Sequence, residues 1–146
     1  MSSTVSYEVR RARTRDEYAA ALALRYDVFC VEQRVPQHEE RDGRDHDAVH
    51  LVALADGRVV ATCRVLIVGD TAQFSRLAVE RSVRRRGIAT ALLRAADTES
   101  RAGGARRIVL HAQTYARSLY EQAGYRPRGR QFTEAGIDHI AMEKRL

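Results

Sequence analysis

Tryptophan is absent from the 146 residues, and cysteine, proline and methionine occur only twice each. Two cysteines, Cys30 and Cys63, cannot make a disulfide framework, and they form no CxxC pair. Both fall in apolar stretches, Val28-Phe29-Cys30-Val31 and Ala61-Thr62-Cys63, where buried free thiols are expected. Neither Pro36 nor Pro127 marks a linker, and no repeat or low-complexity stretch breaks the chain. Residues 1–146 are therefore expected to form one domain. No window approaches the run of about 18 apolar residues that a spanning helix needs. Met1 to Glu8 lacks a basic segment followed by an apolar stretch, so no secretory signal is read there and the cytoplasm is the expected location. Lysine is nearly missing: Lys144 stands alone, and arginine carries the net charge of +6. The arginines are dispersed and not interleaved with aromatics, which argues against a nucleic-acid surface. Their one dense cluster, Arg84-Arg85-Arg86, suits an anionic small ligand better.

What is present is the make-up of a globular domain, 45% hydrophobic and 30% charged. Tyr7 to Arg11 alternates like a strand. Thr14 then reads as an N-cap with acids after it, and apolar spacing predicts a helix to about Phe29 or Cys30. Ala48 to Ala55 and Arg58 to Val68 are strand-like runs joined by Asp56-Gly57, a hairpin signal. Thr71 to Val79 supplies the next strand. A helix is predicted from Gly87 to Arg101, closing at Gly103-Gly104. Arg107 to Ala112 (strand), Tyr115 to Ala123 (helix), a strand from Tyr125 and a strand over Asp138 to Lys144 complete the order β-α-β-β-β-α-β-α-β-β. That order predicts an α+β fold with a mixed sheet.

Val79 to Ala89 reads as a strand, a basic turn and a helix start. A helix N-terminus presents unpaired amides and a favourable dipole to an anion, and Gly87 lets the backbone come close to a phosphate. On its own the segment reads equally well as a solvated basic helix start. Its context decides between them. Leu77-Ala78-Val79 followed by Arg84-x-x-Gly87-x-Ala89 and Leu92-Leu93 resembles the acetyl-CoA-binding motif of the GNAT (Gcn5-related N-acetyltransferase) superfamily. Further on, Gln113 to Tyr125, with Leu119-Tyr120 and Gly124-Tyr125, resembles that family's second signature. Three more segments are similar to the ElaA-like branch: Leu24 to Gln33, Glu40 to Asp45, and Glu134 to Met142.

The resemblance implies a GNAT fold: a mostly antiparallel mixed sheet of about seven strands, helices on both faces, and a splay between strands 4 and 5. It implies acetyl-CoA as acyl donor, with the pantetheine arm against Leu77, Ala78 and Val79. The pyrophosphate would lie on the turn of Arg84, Arg85, Arg86, Gly87, Ile88, Ala89 and Thr90. Gln113 takes the place of the family's usual asparagine, and Ala116 also falls in the cofactor-binding part. Tyr120 matches the tyrosine that gives a proton to the departing thiolate. An amide of Ala78 or Val79 is the expected oxyanion donor. Gln73 stands about where many relatives carry a glutamate base, and an amide cannot take a proton. Glu32 is the first choice instead, with His111 and His139 as alternatives, and an amine that arrives neutral would need no base.

The acidic stretch from His38 to His50 does not fit an EF-hand, and its interleaved Arg41 and Arg44 argue against a metal. It is expected to be a solvated loop, some of whose carboxylates attract a cationic amine. Arg25, Arg64 and Arg76 fall in predicted core elements and need carboxylate partners. Glu32, Asp42 and Asp45 are the expected ones, forming an acceptor-pocket floor to which Gln33 and His139 also belong. Acetyl transfer to a primary amine of a small molecule or peptide is thus the expected function, with no metal, nucleic acid or membrane, and with room for a homodimer. Two alternatives stay open: an acyl-CoA-binding sensor without turnover, and an acyltransferase like the acyl-homoserine-lactone synthases.

Overall fold

The computed structural model of the chain describes residues 6–146. β1 (Tyr7–Arg11) leads into α1 (Arg15–Arg25), whose N-cap Thr14 accepts from the Glu17 amide at 3.1 Å. Past Arg25 the helix does not stop at Phe29. It widens into π-type winding over Tyr26–Glu32, with the Gln33 amide donating to the Val28 carbonyl at 3.1 Å. The acidic stretch is not a featureless loop either. It holds α2 (Gln37–Glu40) and a single 3₁₀ turn, Asp45–Asp47.

β2 (Val49–Ala55), β3 (Arg58–Val68) and β4 (Thr71–Val79) form the expected antiparallel meander. Asp56 and Gly57 both take positive φ, 51° and 76°, as a two-residue hairpin turn of matching twist requires. α3 (Ile88–Ala102), β5 (Arg107–Gln113) and α4 (Arg117–Gln122) follow. Last come β6 (Arg126–Pro127), β7 (Phe132–Glu134) and β8 (Ile137–Arg145). The sheet therefore has eight strands rather than about seven, in the order β1-β2-β3-β4-β5-β8-β6, with β7 also paired to β8. The additional strand is β7, whose three residues are too few to show an alternating pattern.

Two helical layers sandwich this sheet. On one face Leu92, Leu93 and Ala96 of α3 and Tyr120 of α4 pack on Val60, Val65, Phe74, Ile108 and Leu110. On the other, α1 sets Ala21 against Val52 and Leu54, and Leu24 with Val28 meets Ala78. Burying each such leucine contributes about 1.5–3 kcal/mol, and truncating Leu92 to alanine would cost about 2–5 kcal/mol with the cavity included. Cys63 is buried and Cys30 half-buried, both as free thiols. Among the described residues, no helix is long and apolar enough to cross a membrane.

Candidate active site

All strand neighbours are antiparallel except β4 and β5. These two run parallel for only three residue pairs, Thr71–Gln73 against Arg107–Val109, and then part. The gap opens into a cleft of about 1410 Å³. Leu77 and Val79 line it from β4, Gln113 from β5, and Ala116 and Tyr120 from the turn and helix that follow. The cleft continues to the amides of α3 at one end and to Arg64, Gln73, His111 and His139 elsewhere.

A bulge shapes the β4 wall. Between Thr62↔Ala78 and Arg64↔Ser75 one residue of β3 opposes two of β4, and Arg76 takes a left-handed φ of 58°. A non-glycine residue adopts that conformation only where its surroundings impose it. The Arg76 side chain is anchored on α2 and the residues after it: it donates to the Glu40 carbonyl at 3.0 and 3.2 Å and to the carboxylates of Glu40 (3.2 Å) and Asp42 (3.3 Å). Glu40 in turn receives Arg25 at 2.6 Å, and both are nearly inaccessible, at 3% and 1% exposure. Arg25 also reaches Asp45 at 2.8 Å, while Arg64 bonds Asp42 at 2.8 Å and Asp45 at 3.1 Å. Three guanidinium groups and three carboxylates thus balance in one hub. Arg64 bonds hold the Asp42 carboxyl far below the usual range. Burial raises Asp45, but bonds from Arg25 and then Arg64 outweigh it and leave it lowered. Burial, and after it the neighbouring Arg64, lowers Arg76.

The expected pairing of the three arginines with Asp42 and Asp45 is present, but Glu32 is not a partner. Glu40 takes that place, because α2 turns its side chain inward. The expectation of a solvated acidic loop is likewise overturned: Glu40 is buried, and Asp42 and Asp45 face the hub. Arg25 and Asp45 stand behind the cleft wall, whereas Arg64, Arg76 and Asp42 line it.

At the opposite end, Gly87 at φ 81° starts α3 without any side-chain cap, and no atom lies within 4 Å of where a Cβ would stand. The first-turn amides of a helix have no intrahelical acceptor, so Ile88, Ala89 and Thr90 present theirs to this open space. All three line the cleft, and a pyrophosphate fits there. The three arginines of the turn differ. Arg85 lines the cleft with φ 64°, and Arg86 is exposed and does not line it. Arg84 is pinned, donating to the Val79 carbonyl at 2.9 Å and to Glu32 at 2.8 and 3.0 Å. That ion pair, with Arg81 at 3.8 Å, lowers the proton affinity of Glu32 and makes it a poor base. The next residue, Gln33, bridges the cleft: its side-chain amide exchanges hydrogen bonds with that of Gln113 at 2.8 and 3.3 Å. Ala78 points away from the cleft into the α1 layer.

Tyr120 lies at the inner wall, buried, with its ring edge-on to Phe74 (6.3 Å) and Tyr125 (6.0 Å). Burial raises its pKa well above the ordinary phenol value. The resting phenol therefore stays protonated and available as a donor. Opposite, on the β7–β8 hairpin, Glu134 faces His111 at 3.2 Å and His139 at 3.8 Å.

A profile of the acetyltransferase (GNAT) domain matches residues 12–146. The chain belongs to the GNAT acetyltransferase family. It is 31% identical over 134 residues to the uncharacterized N-acetyltransferase YjcF of Bacillus subtilis, spanning 91% of this chain and 96% of that one. Among solved structures, an acyl-CoA N-acyltransferase from Pseudomonas aeruginosa is 27% identical with a TM-score of 0.81, covering 97% and 99% of the two chains. Escherichia coli ElaA, at 24% identity and the same coverage, superposes with a TM-score of 0.82. The PaiA N-acetyltransferase of Thermoplasma acidophilum, solved with coenzyme A, shares the fold at 18% identity and a TM-score of 0.75 over 97% and 99% of the chains. As a GNAT domain the protein is an acyltransferase, and its parallel β4–β5 pair and flanking helices are those of that fold.

Three parts of this GNAT site escape sequence reasoning. Glu40 sits in an acidic run with nothing to mark it as the inward residue. The Gln33–Gln113 bridge joins residues 80 positions apart. The Glu134–His139 proximity depends on the short strand β7, whose three residues carry no alternating pattern.

Proposed function

We propose that the protein moves an acetyl group from acetyl-CoA directly to a primary amine. The observation that carries this reading is the continuity of one cleft, from the uncapped amides of α3, past Leu77, Val79 and Tyr120, to a polar trough walled by α2 and the β7–β8 hairpin. In this reading the α3 amides and Arg85 hold the pyrophosphate. Leu77 and Val79 line the pantetheine arm, and Gln113 closes over it together with Gln33. Acetyl-CoA supplies an activated acyl carbon. An amide of Ala78 or Val79 stabilises negative charge growing on the thioester oxygen. Tyr120 donates to the departing sulfur. Because its pKa is raised, it does so as a hydrogen bond tightening with bond cleavage, and it regains a proton as the amine loses one.

The test is a thiol-release screen with acetyl-CoA across alkylamines, amino sugars and peptide N-termini, with Tyr120→Phe as control. Turnover should fall by about 10²–10⁴-fold in that variant while coenzyme A affinity holds. Coenzyme A binding without turnover on any amine would make this a binding module. Failure to bind coenzyme A would sink the reading entirely.

A further inference from the structure

The carboxylates lining the cleft differ in whether an arginine neutralises them. Glu32 is taken by Arg84, and Glu40 and Asp42 by the hub. Glu39, exposed on α2, has no partner for its carboxylate among the described residues. Glu134 also lacks an arginine, and its two oxygens face imidazoles instead. Its Oε1 lies 3.2 Å from His111 Nδ1 and its Oε2 lies 3.8 Å from His139 Nε2.

The hairpin fixes this arrangement. Phe132 pairs with His139 across β7 and β8, and the two rings stack at 5.9 Å; His111 packs edge-on to the same phenylalanine at 5.0 Å. His139 is 8% exposed, and its Nδ1 lies 2.7 Å from the Ile137 carbonyl. A carbonyl only accepts, so the proton of the neutral ring sits on Nδ1, and the lone pair of Nε2 is turned toward Glu134. In the neutral ring, two acceptors therefore face each other 3.8 Å apart with no donor between them. Such a pair calls for an N–H group, and a cationic one answers both the lone pair and the charge. The pair stands on the cleft side of the sheet: His139 is the register partner of Gln113, at the parted end of β5. Arg107 and Arg128, which also line the cleft, are occupied by Glu143 at 3.5 and 3.2 Å.

We propose that Glu134 and His139, with His111 on their flank, are the acceptor subsite for an alkylammonium, Glu134 holding the charged nitrogen and His139 Nε2 taking its proton. The proposal rests on the acetyl-transfer reading and supplies the base which that reading lacks, since Glu32 is committed to Arg84. The step balances. One ammonium proton passes to His139 and on to water, and the freed nitrogen lone pair forms the C–N bond as the C–S bond breaks. The nitrogen then sheds a second proton, which replaces the one Tyr120 gives to sulfur. Alkylammonium and acetyl-CoA become amide, free thiol and one proton.

The first test needs no turnover. Long-range ¹⁵N–¹H spectra of the histidines are recorded while the protein is titrated with n-butylammonium chloride against matched sodium chloride. His139 should read as the Nδ1–H tautomer. Its Nε2 signal and those of His111 should shift saturably, and the shift should be lost in Glu134→Gln, a change at an exposed hairpin position that leaves the fold intact. A Nε2–H tautomer, or equal shifts in wild type and variant, overturns the proposal. The second test uses an alkylamine turned over in the acceptor screen. Glu134→Gln should raise KM for the amine about 10-fold or more with KM for acetyl-CoA unchanged. His139→Asn keeps a donor toward Ile137 and should lower kcat about 10²-fold or more. Unaltered kinetics in both variants, with wild-type turnover intact, would refute this subsite while leaving acetyl transfer standing.

Discussion

Replacing Glu40 with glutamine keeps the volume of the side chain and removes one negative charge from a hub of three carboxylates and three guanidinium groups. Arg25, at 1% exposure, would keep only Asp45, and Arg76 would keep Asp42 and the backbone carbonyls of α2. Breaking a buried ion pair by removing one partner costs about 3–5 kcal/mol, because the remaining charge is left without compensation. A domain has roughly 5–15 kcal/mol in all, so the loss is a large share of it. For a chain of this size each kcal/mol moves Tm by about 2–4 °C, which gives a drop of about 6–20 °C. Thermal unfolding followed by far-UV circular dichroism measures it. The companion variant Glu40→Gln/Arg25→Met restores two charges of each sign and should recover at least half of the drop. A single-variant loss under about 3 °C would refute the reasoning on charge, given that scale. A double variant no better than the single would assign the loss to packing. Because Arg76 is bonded to Glu40 at the bulge beside Leu77 and Val79, Glu40→Gln should also weaken coenzyme A binding by loosening that wall.

Other outcomes follow from the same contacts. Glu32→Gln frees Arg84 for an anion, so coenzyme A should bind a few-fold more tightly and the low-pH limb of activity should stay in place; loss of that limb would return Glu32 to the role of base. Asp42 and Asp45 have folded pKa values below their unfolded ones, so the unfolded chain binds their protons first as pH falls. Their stabilisation is complete above the unfolded aspartate range near pH 4 and fades below it, as urea unfolding at a series of pH values would register. Equal stability at about pH 5 and about pH 3 would contradict this sign. Gly87→Ala forces a Cβ into a left-handed backbone, costing about 1–2 kcal/mol, and should weaken coenzyme A more than it weakens folding. Isothermal calorimetry beside thermal unfolding separates the two effects.

The sequence by itself determined the family and the local elements of the proposed donor side. A strand, a basic turn with Gly87, and a helix are contiguous, so their local pattern carries the uncapped helix start proposed to hold the pyrophosphate. The Gln113 to Tyr125 segment is equally local and brings Tyr120 with it. The hairpin turn at Asp56-Gly57 and the 3.6-residue spacing of α1 and α3 were legible for the same reason. Charge partnership was not. Arg25, Arg64 and Arg76 announced that carboxylates must meet them, but which ones depended on a four-residue helix that turns Glu40 inward and leaves Glu32 for Arg84. Only the tertiary structure decided that assignment, since ion pairs between residues 15 to 52 positions apart depend on where the elements pack. The proposed acceptor end is the extreme case. Glu134, His139 and His111 come together through a three-residue strand and one imidazole held by the backbone carbonyl of Ile137, a geometry that no periodicity encodes.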